Sequence, residues 1–247
     1  MEKQLPPALG EFLRGGTLYD RSGRSNARTL YCDRGCDIKI DEKGALAGEA
    51  ALGRAFHRLG LGPEVLAYLS TDRDYLVTRS VVGEDLTHAA LTPEQLCERL
   101  AEALHRLHSQ PVEGFPVSTR LQRYLDAADG GEGFYDESVL MDRWRIGSRE
   151  EAWAIMQASR RCLRQDTLIH GDACLPNVIF QGGRFSAFID LGMAGAGDRH
   201  IDLYWALWSL QYNLKTERYT DRFLDAYGRE NVETELLRVI AAFELYG

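Results

Sequence analysis

The stretch from Leu168 to Asp190 restricts this chain more than any other. It reads Leu-Ile-His-Gly-Asp-Ala-Cys-Leu-Pro-Asn over residues 168–177, then Val178-Ile179-Phe180, a Gly182-Gly183 pair, and Phe185 through Ile189 to Asp190. Two short apolar runs around paired glycines predict a β-hairpin, because a two-residue turn needs positive φ, which glycine reaches at no steric cost. Asn177 stands just before that hairpin and Asp190 just after it, so closing the hairpin brings both to one face. Asp172 or Asn177 taken singly is an ordinary turn former. Together with Asp190 they make a chemical set. One carboxylate orients an acceptor hydroxyl and takes its proton, while an amide oxygen and a second carboxylate hold a divalent cation against a triphosphate. Phosphoryl transfer needs these parts, since its catalysis is mainly positioning and charge neutralisation.

The rest of the chain divides by pattern. Up to about residue 80 it reads as strands and turns with one helix. Thr29–Cys32 and Asp37–Ile40 are strand candidates around a turn at Asp33–Gly35. Glu49 to Leu59 has helical apolar spacing and stops at Gly60, and Tyr75 to Val82 reads as a strand ending at Gly83. Beyond that the chain is mainly helical. Thr92, Pro93 and Gln95 form a capping box ahead of the apolar stripe Leu96, Leu100, Leu104 and Leu107. Further helices are predicted over 118–128, 149–164, 201–213, 217–227 and 231–245. The expected fold class is α+β, with a small β-rich lobe over 1–82, a hinge near Arg79 to Gly83, and a larger helical lobe over 83–247.

Resemblance sharpens this reading. The protein-kinase catalytic loop uses the same order of Asp and Asn, followed by a metal-binding Asp. The string His170-Gly-Asp-Ala-Cys-Leu-Pro-Asn177, with Gly183-Arg-Phe-Ser-Ala-Phe-Ile-Asp190, closely resembles the aminoglycoside 3′-phosphotransferases, which have the protein-kinase-like fold. Gly197 to Leu203 resembles that family's D-R-x-x-D segment, and Asp221-Arg222-Phe223-Leu224 matches again. The resemblance implies transfer of the γ-phosphate of ATP or GTP, with Mg2+, to an aminoglycoside hydroxyl, the 3′-hydroxyl, giving antibiotic resistance. It implies Asp172 as the residue that deprotonates the acceptor, and Asn177 and Asp190 as magnesium ligands. Lys39 matches the strand lysine on the nucleotide phosphates, and Glu49 its ion-pair partner, with Glu42 as a rival. Ser25, Asn26 and Ala27 fall on the nucleotide-covering turn, where backbone N–H groups and the Ser25 hydroxyl would meet phosphate. Arg79 to Val81 falls where backbone meets adenine. Glu244 matches an acid that receives the cationic substrate. The first lobe is then nucleotide-binding and the second catalytic and substrate-binding. A kinase for another small hydroxyl compound, and a non-catalytic nucleotide-binding protein, are the competing readings.

The acceptor would carry several ammonium groups, and residues 126–142 hold six acids (Asp126, Asp129, Glu132, Asp136, Glu137, Asp142) and no Lys or Arg. A solvated acidic loop accounts for them equally well. His170 is expected to shape its loop through backbone bonds, Asp198 and Asp202 to cap a helix and brace that loop, and Trp205 and Trp208 to pack in the core. His57, His105 and His108 are expected to be ordinary helix residues. The net charge of −8 and the lack of a basic patch speak against a nucleic-acid partner. No apolar run of membrane-spanning length and no secretion-type leader are seen, and the five cysteines are scattered, so a cytoplasmic monomer or homodimer is expected.

Overall fold

A computed structural model describes residues 5–23, 27–130 and 135–246. The chain divides into two compact units, 1–82 and 83–247.

The first unit is a five-stranded antiparallel sheet with two helices. After α1 (Gly10–Leu13) come β1 (Leu18–Asp20), β2 (Arg28–Cys32), β3 (Cys36–Asp41), α2 (Ala47–Arg58), β4 (Val65–Ser70) and β5 (Asp74–Arg79), in sheet order β1-β2-β3-β5-β4. Strand alternation sorts its side chains. Leu30, Cys32, Ile38, Ile40, Tyr75 and Val77 face one way and bury with Leu9. Lys39, between two buried isoleucines, therefore faces the other way. There Leu46 and Ala50, at and after the start of α2, bury against Leu76 of β5. The α2 entry has no cap of its own. Asp74 supplies one from β5, where its Oδ2 accepts from the Leu46 N–H at 2.9 Å and the Tyr68 hydroxyl at 2.8 Å. Against the sequence expectations, β5 stops at Arg79 rather than Val82. There the Arg79 N–H turns to the Glu64 carbonyl and the Ser80 N–H to that of Gly35.

The second unit contains β6 (Glu84–Asp85), α3 (Pro93–His108), α4 (Thr119–Gly130), α5 (Arg149–Ser159), β7 (Thr167–Ile169), β8 (Val178–Gln181), β9 (Arg184–Phe188), β10 (Gly195–Gly197), α6 (Arg199–Leu214), α7 (Thr220–Tyr227) and α8 (Thr234–Glu244). The capping box at Thr92 forms with both bonds, and the four stripe leucines of α3 are buried. Such a cap is worth about 1 kcal/mol. The α5 helix ends at Ser159, because the following Arg-Arg-Cys-Leu-Arg-Gln-Asp run has almost no apolar face to bury. The β8–β9 hairpin turns on Gly182 and Gly183, both at positive φ (55° and 78°), and β6 pairs with β8. β7 pairs antiparallel with β10, which feeds directly into α6. No described helix is long and apolar enough to cross a membrane.

Candidate active site

The loop after β7 is held by an aspartate from α6. Asp198 caps that helix by accepting from the His200 N–H at 3.0 Å. One turn later, fully buried Asp202 accepts from the His170 N–H at 2.8 Å and the Gly171 N–H at 2.7 Å. A third donor comes from α3. His108 Nε2 lies 3.0 Å from Asp202 Oδ2, and its Nδ1 lies 2.8 Å from the Tyr227 hydroxyl. The geometry assigns the His108 proton to Nε2, with Nδ1 accepting from the tyrosine. His108 is therefore a buried strut of the loop, which corrects its reading as an ordinary helix residue. Its position on the buried stripe with Ala101 and Leu104 was the available signal.

His170 links two segments. Its Nδ1 accepts from the Asp172 N–H at 3.2 Å, and its Nε2–H donates to the Ile189 carbonyl at 2.9 Å. Between them Gly171 sits at φ 78°, and a Cβ there would run into the Met193 carbonyl. Only glycine fits at this step.

Asp172 is oriented through both carboxylate oxygens. Oδ2 accepts from Asn177 Nδ2 at 3.0 Å, and Oδ1 accepts from the Cys174 thiol at 3.2 Å. Burial, reinforced by the Asp172 charge, pushes the Cys174 thiol well above its ordinary range, so it stays a donor. Asn177 Nδ2 also donates to the Asp172 carbonyl at 2.9 Å. With its nitrogen so engaged, Asn177 offers Oδ1 as its atom for a cation. The Ile189 N–H closes the hairpin on the Asn177 carbonyl at 3.0 Å, one residue from Asp190. Asp190 itself takes a left-handed conformation, φ 59° and ψ 63°, which turns it out of the strand direction. An amide oxygen and a carboxylate are hard donors that suit Mg2+.

In the first unit, Lys39 Nζ meets both Glu49 oxygens, at 2.8 and 3.1 Å, while the rival Glu42 is exposed on the turn. Arg79 spends its side chain on Glu64 and its N–H on the sheet, so an adenine contact there would use the Arg79 carbonyl and Val81. Ser25 and Asn26 lie outside the described residues; Ala27 is buried.

The acceptor side departs from the sequence reading. Glu244, expected to face a cationic substrate, is only 3% exposed. Its carboxylate accepts from the Tyr124 hydroxyl and the Trp205 indole N–H, and Arg120 Nη1 lies 3.4 Å from its Oε2. The reason is that α8 buries nearly every residue from Leu236 onward, which leaves Glu244 no solvent-facing side. The acids of 126–142 are dispersed as well. Asp126 bonds Gln122, Asp129 pairs with Arg160, Asp136 caps a short turn, and Glu132 lies outside the described residues. Of the five described acids, Asp142 alone lines a cavity of about 700 Å3 that opens beside the second half of α6. Trp208, Gln211 and Tyr212 of α6 line it too, with Lys215 and Glu217 beyond the helix. Trp208, expected in the core, stacks on Tyr212 at 5.1 Å at this cavity, and Lys215 Nζ sits 4.2 Å above the Tyr212 ring. Gln211 Oε1 is buried there with no hydrogen-bond partner among the described residues.

Known proteins resemble this chain in sequence and in fold. Residues 36–242 match the phosphotransferase enzyme family. A probable aminoglycoside 3′-phosphotransferase of Lactococcus lactis subsp. lactis (strain IL1403) is 36% identical over 251 residues, covering 99% of this chain and 96% of the relative. An aminoglycoside-3′-phosphotransferase of type VIII superposes with a TM-score of 0.76 at 23% identity, over 98% of this chain and 97% of that one. An aminoglycoside phosphotransferase from Streptomyces rimosus, solved with ADP and streptomycin, gives 0.70 at 20% identity, over 91% and 94%. These two show the fold, the protein-kinase-like one. With the match covering most of its length and its nearly full-length likeness to the Lactococcus protein, the chain belongs to the phosphotransferase enzyme family.

Proposed function

We propose that this enzyme transfers the γ-phosphoryl group of ATP or GTP to a hydroxyl of an aminoglycoside, the 3′-hydroxyl, and so confers resistance in the cytoplasm. The carrying observation is the double orientation of Asp172 by Asn177 and Cys174. A carboxylate fixed in this way is suited to hold an acceptor hydroxyl for in-line attack and to receive its proton. Asn177 Oδ1 and Asp190 would hold Mg2+, which neutralises phosphate charge when bound. In the first unit, Lys39 is assigned to the nucleotide phosphates, with Glu49 fixing its ammonium. Arg79 and Val81 are assigned to the adenine edge through backbone atoms, and Ser25 and Asn26 to the turn over the phosphates.

The relative's name and the cavity support this acceptor class. Asp142, Glu217 and the unpartnered Gln211 Oε1 give that cavity acceptor atoms for ammonium groups. Lys215 and the Trp208–Tyr212 pair favour a second reading, in which the acceptor is a small hydroxyl compound of lower positive charge. A phosphorylation screen with ATP and with GTP, across aminoglycosides and other small alcohols, separates the two. Phosphorylated aminoglycosides are expected, and turnover confined to other alcohols would replace the first reading by the second.

A further inference from the structure

A buried ion pair reaches from α8 to the peptide bond that precedes Asp172. The side chain of Arg120, the second residue of α4, is only 12% exposed. Its Nε donates to the Gly171 carbonyl at 2.9 Å, and its guanidinium lies 4.8 Å from the Trp205 ring centroid. On the other side Nη1 faces Glu244 Oε2, while Glu244 Oε1 takes the donors from Tyr124 and Trp205. Burial opposes the Arg120 charge, but Glu244, Tyr124 and Asp172 outweigh it and hold the guanidinium above its ordinary range.

The Gly171–Asp172 peptide is therefore gripped at both ends. Its carbonyl is held by Arg120 and its N–H by His170 Nδ1. The preceding Gly171 N–H is fixed by Asp202. This peptide sets the direction in which Asp172 leaves the backbone. A rigid planar guanidinium can serve the Gly171 carbonyl and Glu244 at once, and a lysine ammonium lacks that fork.

We propose that Arg120 and Glu244 are positioning residues for phosphoryl transfer, Glu244 fixing Arg120 and Arg120 fixing the peptide that aims Asp172. The inference rests on Asp172 acting as the acceptor-side base. It gives the buried Glu244 a task through its partners Arg120, Tyr124 and Trp205.

The test uses Arg120→Lys, Glu244→Gln and the double variant of the full chain, with steady-state kinetics and amide hydrogen exchange at Asp172. Glu244→Gln keeps an oxygen for Tyr124 and Trp205 while removing the charge. Each single variant should lower kcat about 10- to 100-fold, the scale of a small misplacement at a reacting centre. KM for acceptor and nucleotide should stay within about twofold, and the double variant should cost about as much as the worse single one. Exchange at the Asp172 amide should quicken in both single variants by about tenfold or more, once corrected for any change in global stability. A raised acceptor KM with unchanged kcat, additive losses, or unaltered Asp172 exchange would overturn the inference. Amide exchange reads the positioning without turnover. Absence of aminoglycoside turnover in the wild type would therefore count against the proposed acceptor alone, and unaltered exchange against the positioning alone.

Discussion

Asp172, Asn177 and Asp190 could be singled out because the pattern that joins them is local. Asn177 follows Asp172 by five positions, and one hairpin separates Asn177 from Asp190. His108 and Arg120 were not legible in the same way. Their partners stand 94 and 124 residues away, at Asp202 and Glu244, and no local pattern announces a contact made by tertiary packing. Glu244 was placed by resemblance alone, and its burial against Tyr124, Trp205 and Arg120 left no trace in the local sequence. For Asp190 the assignment predicts a specific loss. Asp190→Ala should abolish magnesium-dependent nucleotide binding in titration calorimetry, since Asn177 would remain as a single neutral oxygen donor. Binding that is unaltered and still magnesium-dependent would remove Asp190 from the metal site.

Elements with strong periodicity and end signals were readable, and those without were not. α3 announces itself through its cap and leucine stripe, and the β8–β9 hairpin through its glycines. β4 carries Val-Leu-Ala-Tyr-Leu before its final Ser, a nearly continuous apolar run that does not alternate, and β1 is exposed throughout, so neither left a pattern. The entry of α2 escaped for a different reason: its cap is Asp74, a residue of another element. Burial pushes the Asp74 carboxyl up, but the backbone N–H groups of Gly44 and Leu46, with the hydroxyls of Ser70 and Tyr68, outweigh it and pull it down to about 2 from 3.8. A carboxylate depressed in the folded state stabilises fully above its unfolded value and loses that contribution as pH falls through the folded one. The Asp74 share of stability should thus disappear between 3.8 and about 2. Asp74→Asn should lower the melting temperature at neutral pH and flatten that part of the acid limb. An unchanged limb in thermal melts across this range would contradict the cap.

At the scale of the whole molecule, each unit fixes its own set of charged groups. In the first, Lys39 is fixed by Glu49; in the second, Asp172 is fixed by its own loop, which Asp202 of α6 holds. The same α6 continues from Asp202 and Trp205, beneath the loop, to Trp208, Gln211 and Tyr212 at the cavity. That continuity joins the Asp172 loop to the cavity. It was hidden in the sequence, since residues 138–142 and 208–217 meet only in the folded chain. The most direct test of the account is to compare phosphoryl transfer to an aminoglycoside by the wild type and by Asp172→Ala, measuring nucleotide affinity in both. Loss of a positioned base should lower kcat by about 10² or more while nucleotide affinity stays within about twofold. An Asp172→Ala enzyme that transfers phosphate at the wild-type rate would show that Asp172 is not the base.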